Sequence, residues 1–226
     1  MSATPADVAR DAARRIAREA AAAIAARGRF TIALSGGTTP WLMLDQLVTL
    51  PVDWSRVDVC QVDERKARDG SIDRNWTRIQ AHLFSRAAVP IERRHPMPVL
   101  DEATEATARY AATLRDAAGD PPVLDVVQLG LGEDGHVASL VPGDPVLEFT
   151  RGDVAWTTGE YRGTSRMTLT IPCLARARLL LWLVTGEGKA PMLARLCARD
   201  TSIPAGRLPQ TGAVLFCDAE ASRGMR

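Results

Sequence analysis

The chain has 226 residues, 46% of them hydrophobic, which suits a single α/β domain over residues 1–226 with a sizeable core. A net charge of +1 gives no electrostatic case for nucleic acid or an anionic membrane, and no apolar stretch is long enough to span a bilayer. The four cysteines, Cys60, Cys173, Cys197 and Cys217, are scattered without metal-ligand spacing, so no metal site is expected; Cys60 and Cys217 read as buried thiols, which fits a cytoplasmic protein.

The N-terminal segment mixes arginine and alanine with Asp7, Asp11 and Glu19 and lacks the apolar core of a secretory signal. Val8, Ala12, Ile16, Ala20 and Ile24 recur at helical spacing and predict a helix over 5–26, with Thr4 as N-cap, Pro5 at the first position and Gly28 as its stop. Residues 30–34 read as a strand, 35–40 as a tight turn and 41–48 as a helix. The next strand lies within 54–62 and ends in Asp63-Glu64-Arg65. A helix over 75–84, an irregular stretch over 90–98, a helix over 102–118 and a strand over 123–129 follow. Residues 143–166 are polar and aperiodic, which predicts a loop with a short strand around 154–157. Strands at 167–171 and 179–184, a helix at 191–198 and a strand at 213–217 complete the chain. Strands alternating with helices predict a doubly wound, mostly parallel sheet.

The most informative stretch is Gly-Leu-Gly-Glu-Asp-Gly-His-Val-Ala-Ser-Leu-Val-Pro-Gly at 130–143. It leaves a buried strand through a glycine-rich turn and delivers Asp134 and His136 side by side, where α/β proteins place their chemistry. Histidine titrates near neutrality and takes a proton from water when a carboxylate orients it; the alternative is a plain turn with a satisfied histidine. The same residues match G-x-G-x-x-G, but Pro142 and Gly143 stop any helix after little more than a turn, which argues against a dinucleotide.

Ser35-Gly36-Gly37-Thr38-Thr39-Pro40, between a strand and a helix, forms an anion cradle of backbone N–H groups and hydroxyls, or else a tight turn with Thr39 as N-cap. Asp63-Glu64-Arg65 places charge at a strand's carboxyl end, either facing a cleft or solvated. Arg166 at a strand start and Lys189 at a helix start are surface cations or, with the cradle, the cations a sugar phosphate requires.

Taken in order, residues 35–40, 62–65, 130–143 and 166–170, supported by 186–190 and 203–205, resemble the 6-phosphogluconolactonase family. The 130–143 pattern is the most specific part. The resemblance implies a Rossmann-like sheet with helices on both faces and a metal-free, cofactor-free lactone hydrolase of the oxidative pentose phosphate pathway. It implies His136 as general base, with Asp134, Arg65 and its acidic neighbour Asp63 in the catalytic group. It places Ser35, Gly36, Gly37, Thr38, Arg166 and Lys189 at the substrate phosphate. The implied partner is a small-molecule sugar-phosphate lactone. No nucleic-acid or membrane partner is expected, and the chain is expected to act as a monomer, although the sequence itself does not give the oligomeric state. One departure stands out: the family's usual Val-Pro and Ser-Asn after Asp-Glu-Arg read Lys66-Ala67-Arg68 and Arg74-Asn75 here; Val141 in place of the phenylalanine before the motif's proline is a mild change. Glucosamine-6-phosphate deaminase shares the Gly-Gly turn and Asp-Gly-His, but its assisting glutamate falls on Val141. A non-catalytic sugar-phosphate sensor on the same fold is the rival from another class, and it has no need of the Asp134–His136 pair.

Overall fold

The computed structural model describes residues 4–225. Helix α1 (Pro5–Arg27) begins as its sequence dictates: Thr4 accepts a hydrogen bond from the Asp7 N–H at 3.2 Å, Pro5 opens the helix, and Gly28 closes it in the left-handed region at φ 76°. Strand β1 (Phe30–Leu34) follows, then α2 (Thr38–Leu47), β2 (Val57–Gln61) and β3 (Asp63–Arg65). Helix α3 (Asn75–Ile79) runs on through a π turn to Phe84. The rest comprises α4 (Ala103–Ala118), β4 (Val126–Leu129), β5 (Val154–Trp156), β6 (Arg166–Leu169), α5 (Ile171–Ala175), β7 (Leu179–Val184), α6 (Ala190–Cys197) and β8 (Val214–Cys217).

Five strands form a parallel sheet in the order β2-β1-β4-β7-β8. Strands β2, β1, β4 and β7 are buried on both faces, which explains their mostly apolar runs, while the edge strand β8 is half-buried. The two faces still alternate along each strand. Leu179, Leu181 and Leu183 of β7 join a core with Ile16, Phe30, Met43 and Ile79 under α1, α2 and α3. Leu180, Trp182 and Val184 join a second core with Tyr110, Leu114 and Leu193 under α4 and α6. Helices therefore cover both faces of a doubly wound sheet. Between β1 and β4 the strand order reverses, and the loops leaving the carboxyl ends of these two strands border the crevice where open sheets bind ligands.

The structure corrects three local expectations. Asp63-Glu64-Arg65 is not the frayed end of β2 but a strand of its own. Val62 is the hand-off: its N–H bonds to Leu34 in the parallel sheet, while its carbonyl accepts from Leu169 N–H at 2.8 Å. Beyond it β3 pairs antiparallel with β6, and β6 with β5, in a separate three-stranded sheet. The strand expected at 167–171 thus belongs to this second sheet. Nor is Thr39 an N-cap. Helix α2 starts at Thr38 behind Gly37, and the Thr39 hydroxyl meets that of Thr185 at 2.6 Å, tying α2 to the end of β7.

Glu64 explains why the hand-off holds. Its side chain is fully buried. Oε1 accepts from the N–H groups of Arg65 and Asn75, and Oε2 from Trp76 N–H and Gln61 Nε2, each at 2.8 Å. Two of these donors are the first N–H groups of α3, which has no cap from its own N-cap side chain. Arg74, the residue that departs from the family pattern, is itself buried, with Nε 3.6 Å from Glu64 Oε2 and Nη1 paired with Asp69. Burying a carboxylate costs several kcal/mol; four charge-assisted bonds at about 1.5–3 kcal/mol each offset that. Replacing Glu64 by Ala strands those donors and takes from the buried Arg74 one of its two carboxylate partners, so Glu64→Ala should lower the unfolding free energy by about 3–5 kcal/mol. Urea unfolding checks this, and an unchanged midpoint contradicts it.

Candidate functional site

The loop after β4 is built around its histidine. Gly132 N–H donates to the His136 carbonyl at 2.8 Å and Gly135 N–H to the Gly132 carbonyl at 3.1 Å, closing a compact turn. Asp134 Oδ1 accepts from the His136 backbone N–H at 3.1 Å and lies 2.6 Å from ring Nδ1. Nδ1 is therefore assigned the ring proton, and Nε2 keeps its lone pair. A side chain at 132 would spoil this arrangement, because its Cβ would lie 2.0 Å from His136 Nδ1 and 2.5 Å from Asp134 Oδ1. The glycine is there to let the carboxylate and the imidazole meet.

A cavity of about 410 Å³ opens at the β1–β4 crevice. It gathers Ser35, Gly36, Gly37, Thr38, Asp63, Arg65, His136, Arg166 and Lys189, so nine of the ten residues singled out in the sequence line one space. Asp134 is the tenth and stands behind His136. Asn75 and Arg162 also line it. Arg162, which the aperiodic segment 143–166 hid, makes a fourth cation beside Arg65, Arg166 and Lys189. The acidic side chain in the wall is Asp63, and both its oxygens are engaged: Ser139 Oγ donates to Oδ2 at 2.5 Å, and Asn75 Nδ2 reaches Oδ1 at 3.3 Å. Ser139 is wholly buried there, held away from any nucleophile's position.

The charges are arranged at a cost. Arg65 and Arg166 face each other directly across the β3–β6 pair. Like charges opposite one another destabilise a strand pair. Burial, aided by Arg65, pushes the Arg166 guanidinium below its usual value, with Asp63 opposing the shift. Its Nε is buried without a hydrogen-bond partner among the described residues. Arg65 is anchored by Nη1 on the Asp73 carbonyl at 2.6 Å, and Lys189 stands 3.9 Å from Glu133. An anion entering this space relieves the repulsion and fills the unused donors.

Tyr161, also outside the sequence reading, closes the histidine side. Its hydroxyl donates to Asp134 Oδ2 at 3.1 Å. Burial pushes the Asp134 carboxyl up, but the hydrogen bonds and charge of His136 and the Tyr161 hydroxyl outweigh it, so the net direction is down. Burial and the Asp134 carboxylate together hold the Tyr161 phenol above the ordinary tyrosine range. Among the described residues, no group of three or more His, Cys, Asp or Glu is placed to hold a metal ion. None of their helices is long and apolar enough to cross a membrane.

A proton acceptor beside a cationic cavity, at the switch point of a parallel sheet, defines an α/β protein suited to an anionic small molecule. The chain belongs to the glucosamine-6-phosphate isomerase/6-phosphogluconolactonase family, whose model matches residues 3–216. It is 35% identical over 213 residues to the 6-phosphogluconolactonase of Synechocystis, covering 90% of this chain and 88% of that one. It is 34% identical over 214 residues to the human 6-phosphogluconolactonase, covering 88% and 81%. The crystal structure of 6-phosphogluconolactonase from Thermotoga maritima superposes with a TM-score of 0.82 at 26% identity, covering 91% and 92%. That from Trypanosoma brucei, at 23% identity and a TM-score of 0.85 over 100% of this chain and 97% of that one, shares the fold.

The tyrosine environment gives a direct check. The chain has two tyrosines, and burial also raises Tyr110 well above the ordinary range. Phenolate absorbance should therefore show both titrating above the ordinary phenol value. Asp134→Asn removes the carboxylate charge and should bring one of the two transitions down. Two unmoved transitions contradict the contact.

Proposed function

We propose that this protein hydrolyses 6-phospho-D-glucono-1,5-lactone to 6-phospho-D-gluconate in the oxidative pentose phosphate pathway. The observation that carries the reading is the His136–Asp134 pair standing in the same cavity as Arg65, Arg162, Arg166 and Lys189. A hydrolase of a phosphorylated lactone needs a base for water and cations for a phosphate, within one sugar's length of each other. The 6-phosphogluconolactonases among its relatives support the same substrate.

Asp134 holds the Nδ1 proton, so neutral His136 presents Nε2 to a water. Nε2 takes one proton as the water oxygen bonds to the lactone carbonyl carbon. The carbonyl oxygen becomes an oxyanion, stabilised by Arg65 or a backbone N–H of the motif loop. When the tetrahedral carbon collapses, the ring ester bond breaks and the proton on Nε2 passes to the departing ring oxygen. No covalent enzyme intermediate forms. The phosphate rests on the Gly36-Gly37-Thr38 backbone, with the hydroxyl of Ser35 at hand, between Arg166 and Lys189. Asp63, its oxygens occupied by Ser139 and Asn75, serves by holding the walls in register.

The deaminase alternative needs an assisting glutamate where this chain has the buried Val141. A sensor has no use for an oriented base. The buried thiols of Cys60 and Cys173 suit a reducing compartment, and we place the enzyme in the cytoplasm.

Freshly generated lactone provides the test, because turnover must exceed its spontaneous opening. His136→Ala should lower kcat by roughly 10²–10⁴-fold with little change in KM. A folded variant with near-normal kcat sinks the general-base role. Arg166→Ala and Lys189→Ala should instead raise KM about ten- to a hundredfold, while leaving the weak turnover of unphosphorylated gluconolactone nearly unchanged. Equal losses on both lactones mean that these cations do not hold the phosphate.

A further inference from the structure

We propose that Tyr161 is a positioning residue for this reaction: it fixes Asp134, and through it the His136 ring, and joins that pair to the phosphate-side cation Arg166. The proposal rests on the lactonase reading above. Tyr161 sits in the loop between β5 and β6, in a stretch whose sequence shows no site pattern.

Contacts with Asp134, His136, Arg162 and Arg166 meet on this one residue. Its hydroxyl donates to Asp134 Oδ2 at 3.1 Å and lies 3.3 Å from His136 Nδ1. Its ring packs edge-on against the imidazole, with centroids 5.2 Å apart and planes at 64°. The Arg166 guanidinium lies 5.1 Å from the ring centroid, and its Nη2 donates to the Tyr161 carbonyl at 3.3 Å. Cation–π attraction and that bond tie the loop to β6.

A carboxylate turns easily about its last torsion, which is broad and nearly two-fold. Asp134 is partly exposed, so the His136 contacts on Oδ1 alone leave Oδ2 to solvent. The phenol occupies Oδ2 and fixes the plane in which Oδ1 meets Nδ1. It also has an electrostatic effect: a carboxylate that accepts a second hydrogen bond attracts an imidazolium less strongly than one that does not. The phenol thus favours the neutral ring that the base step requires. The other charged groups facing the pair are Arg162 on the same loop, Arg166 on β6, Arg65 and Asp63 on β3, Lys189 after β7, and Glu133 beside Asp134. Removing only the phenolic oxygen leaves these charges in place and takes away the hydroxyl's bonds to Asp134 and Arg162, so Tyr161→Phe reports on the hydroxyl apart from the ring.

Tyr161→Phe keeps the ring, its edge contact and the Arg166 stack. On the phosphorylated lactone it should lower kcat about three- to tenfold with KM within about twofold. It should also move the acid limb of the kcat/KM profile to higher pH by roughly 0.3–1 unit. Tyr161→Leu removes the ring as well and should add a several-fold rise in KM. A second readout needs no substrate: the downfield proton resonance of His136 Nδ1–H, identified by its loss in His136→Ala, should move further downfield in Tyr161→Phe. A superimposable pH profile and an unmoved resonance overturn the proposal. If the wild type fails to exceed spontaneous lactone opening, the lactonase reading falls, and the resonance alone then decides whether Tyr161 holds the pair.

Discussion

The Asp63 carboxylate is the joint on which the cavity depends. It stands at the first residue of β3, one step beyond the strand-to-strand hand-off at Val62, and both its oxygens hold a different segment. Ser139 binds it from the motif loop, and Asn75 binds it from the start of α3. Asn75 in turn packs so closely on the β1–α2 turn that a Cβ at position 36 would lie 2.1 Å from its Oδ1. Gly36 is thus a consequence of Asn75, and Asn75 is placed by Asp63 and by Glu64, which takes its backbone N–H. Three walls that are distant in sequence are held by one buried hydrogen-bond network, and such networks gain from full satisfaction.

That network tolerates an electrostatic arrangement that folding alone would not favour. Two arginines oppose each other across β3 and β6, with a third cation on the loop beside them and a lysine at the far rim. Net charge of the chain is only +1, so this is a local concentration of like charge rather than a general property. Active sites keep such unresolved charge because the ligand completes it. The histidine side of the cavity has the opposite design: Asp134, His136 and Tyr161 satisfy one another, and the ring nitrogen left over, Nε2, is the one the proposed base step uses.

Much of this is legible in the sequence, and the reasons for the rest are physical. Helix α1 is readable because its cap, its first proline and its apolar spacing agree. The motif loop is readable because its glycines, carboxylate and histidine fall within seven residues of one another, at the end of an apolar strand. Asp63-Glu64-Arg65 is readable as chemistry but not as structure. A three-residue strand has too little pattern to announce its sheet, and the full burial of Glu64 rests on donors that lie further along the chain. Arg74 looks like a departure from the family pattern until the fold brings it against Glu64. Tyr161 and Arg162 are silent in the sequence because a polar, aperiodic loop carries no periodicity, and their contacts with Asp134 and Arg166 exist only after β5 and β6 have paired.

The central claim is that one cavity holds the phosphate at one end and the reacting carbon at His136. A crystal structure with the product 6-phospho-D-gluconate bound tests it most directly. The account requires the phosphate on the Gly36-Gly37-Thr38 backbone between Arg166 and Lys189, with the C1 carboxylate within hydrogen-bond reach of His136 Nε2. A product bound in the reverse orientation, or seated away from His136, contradicts it.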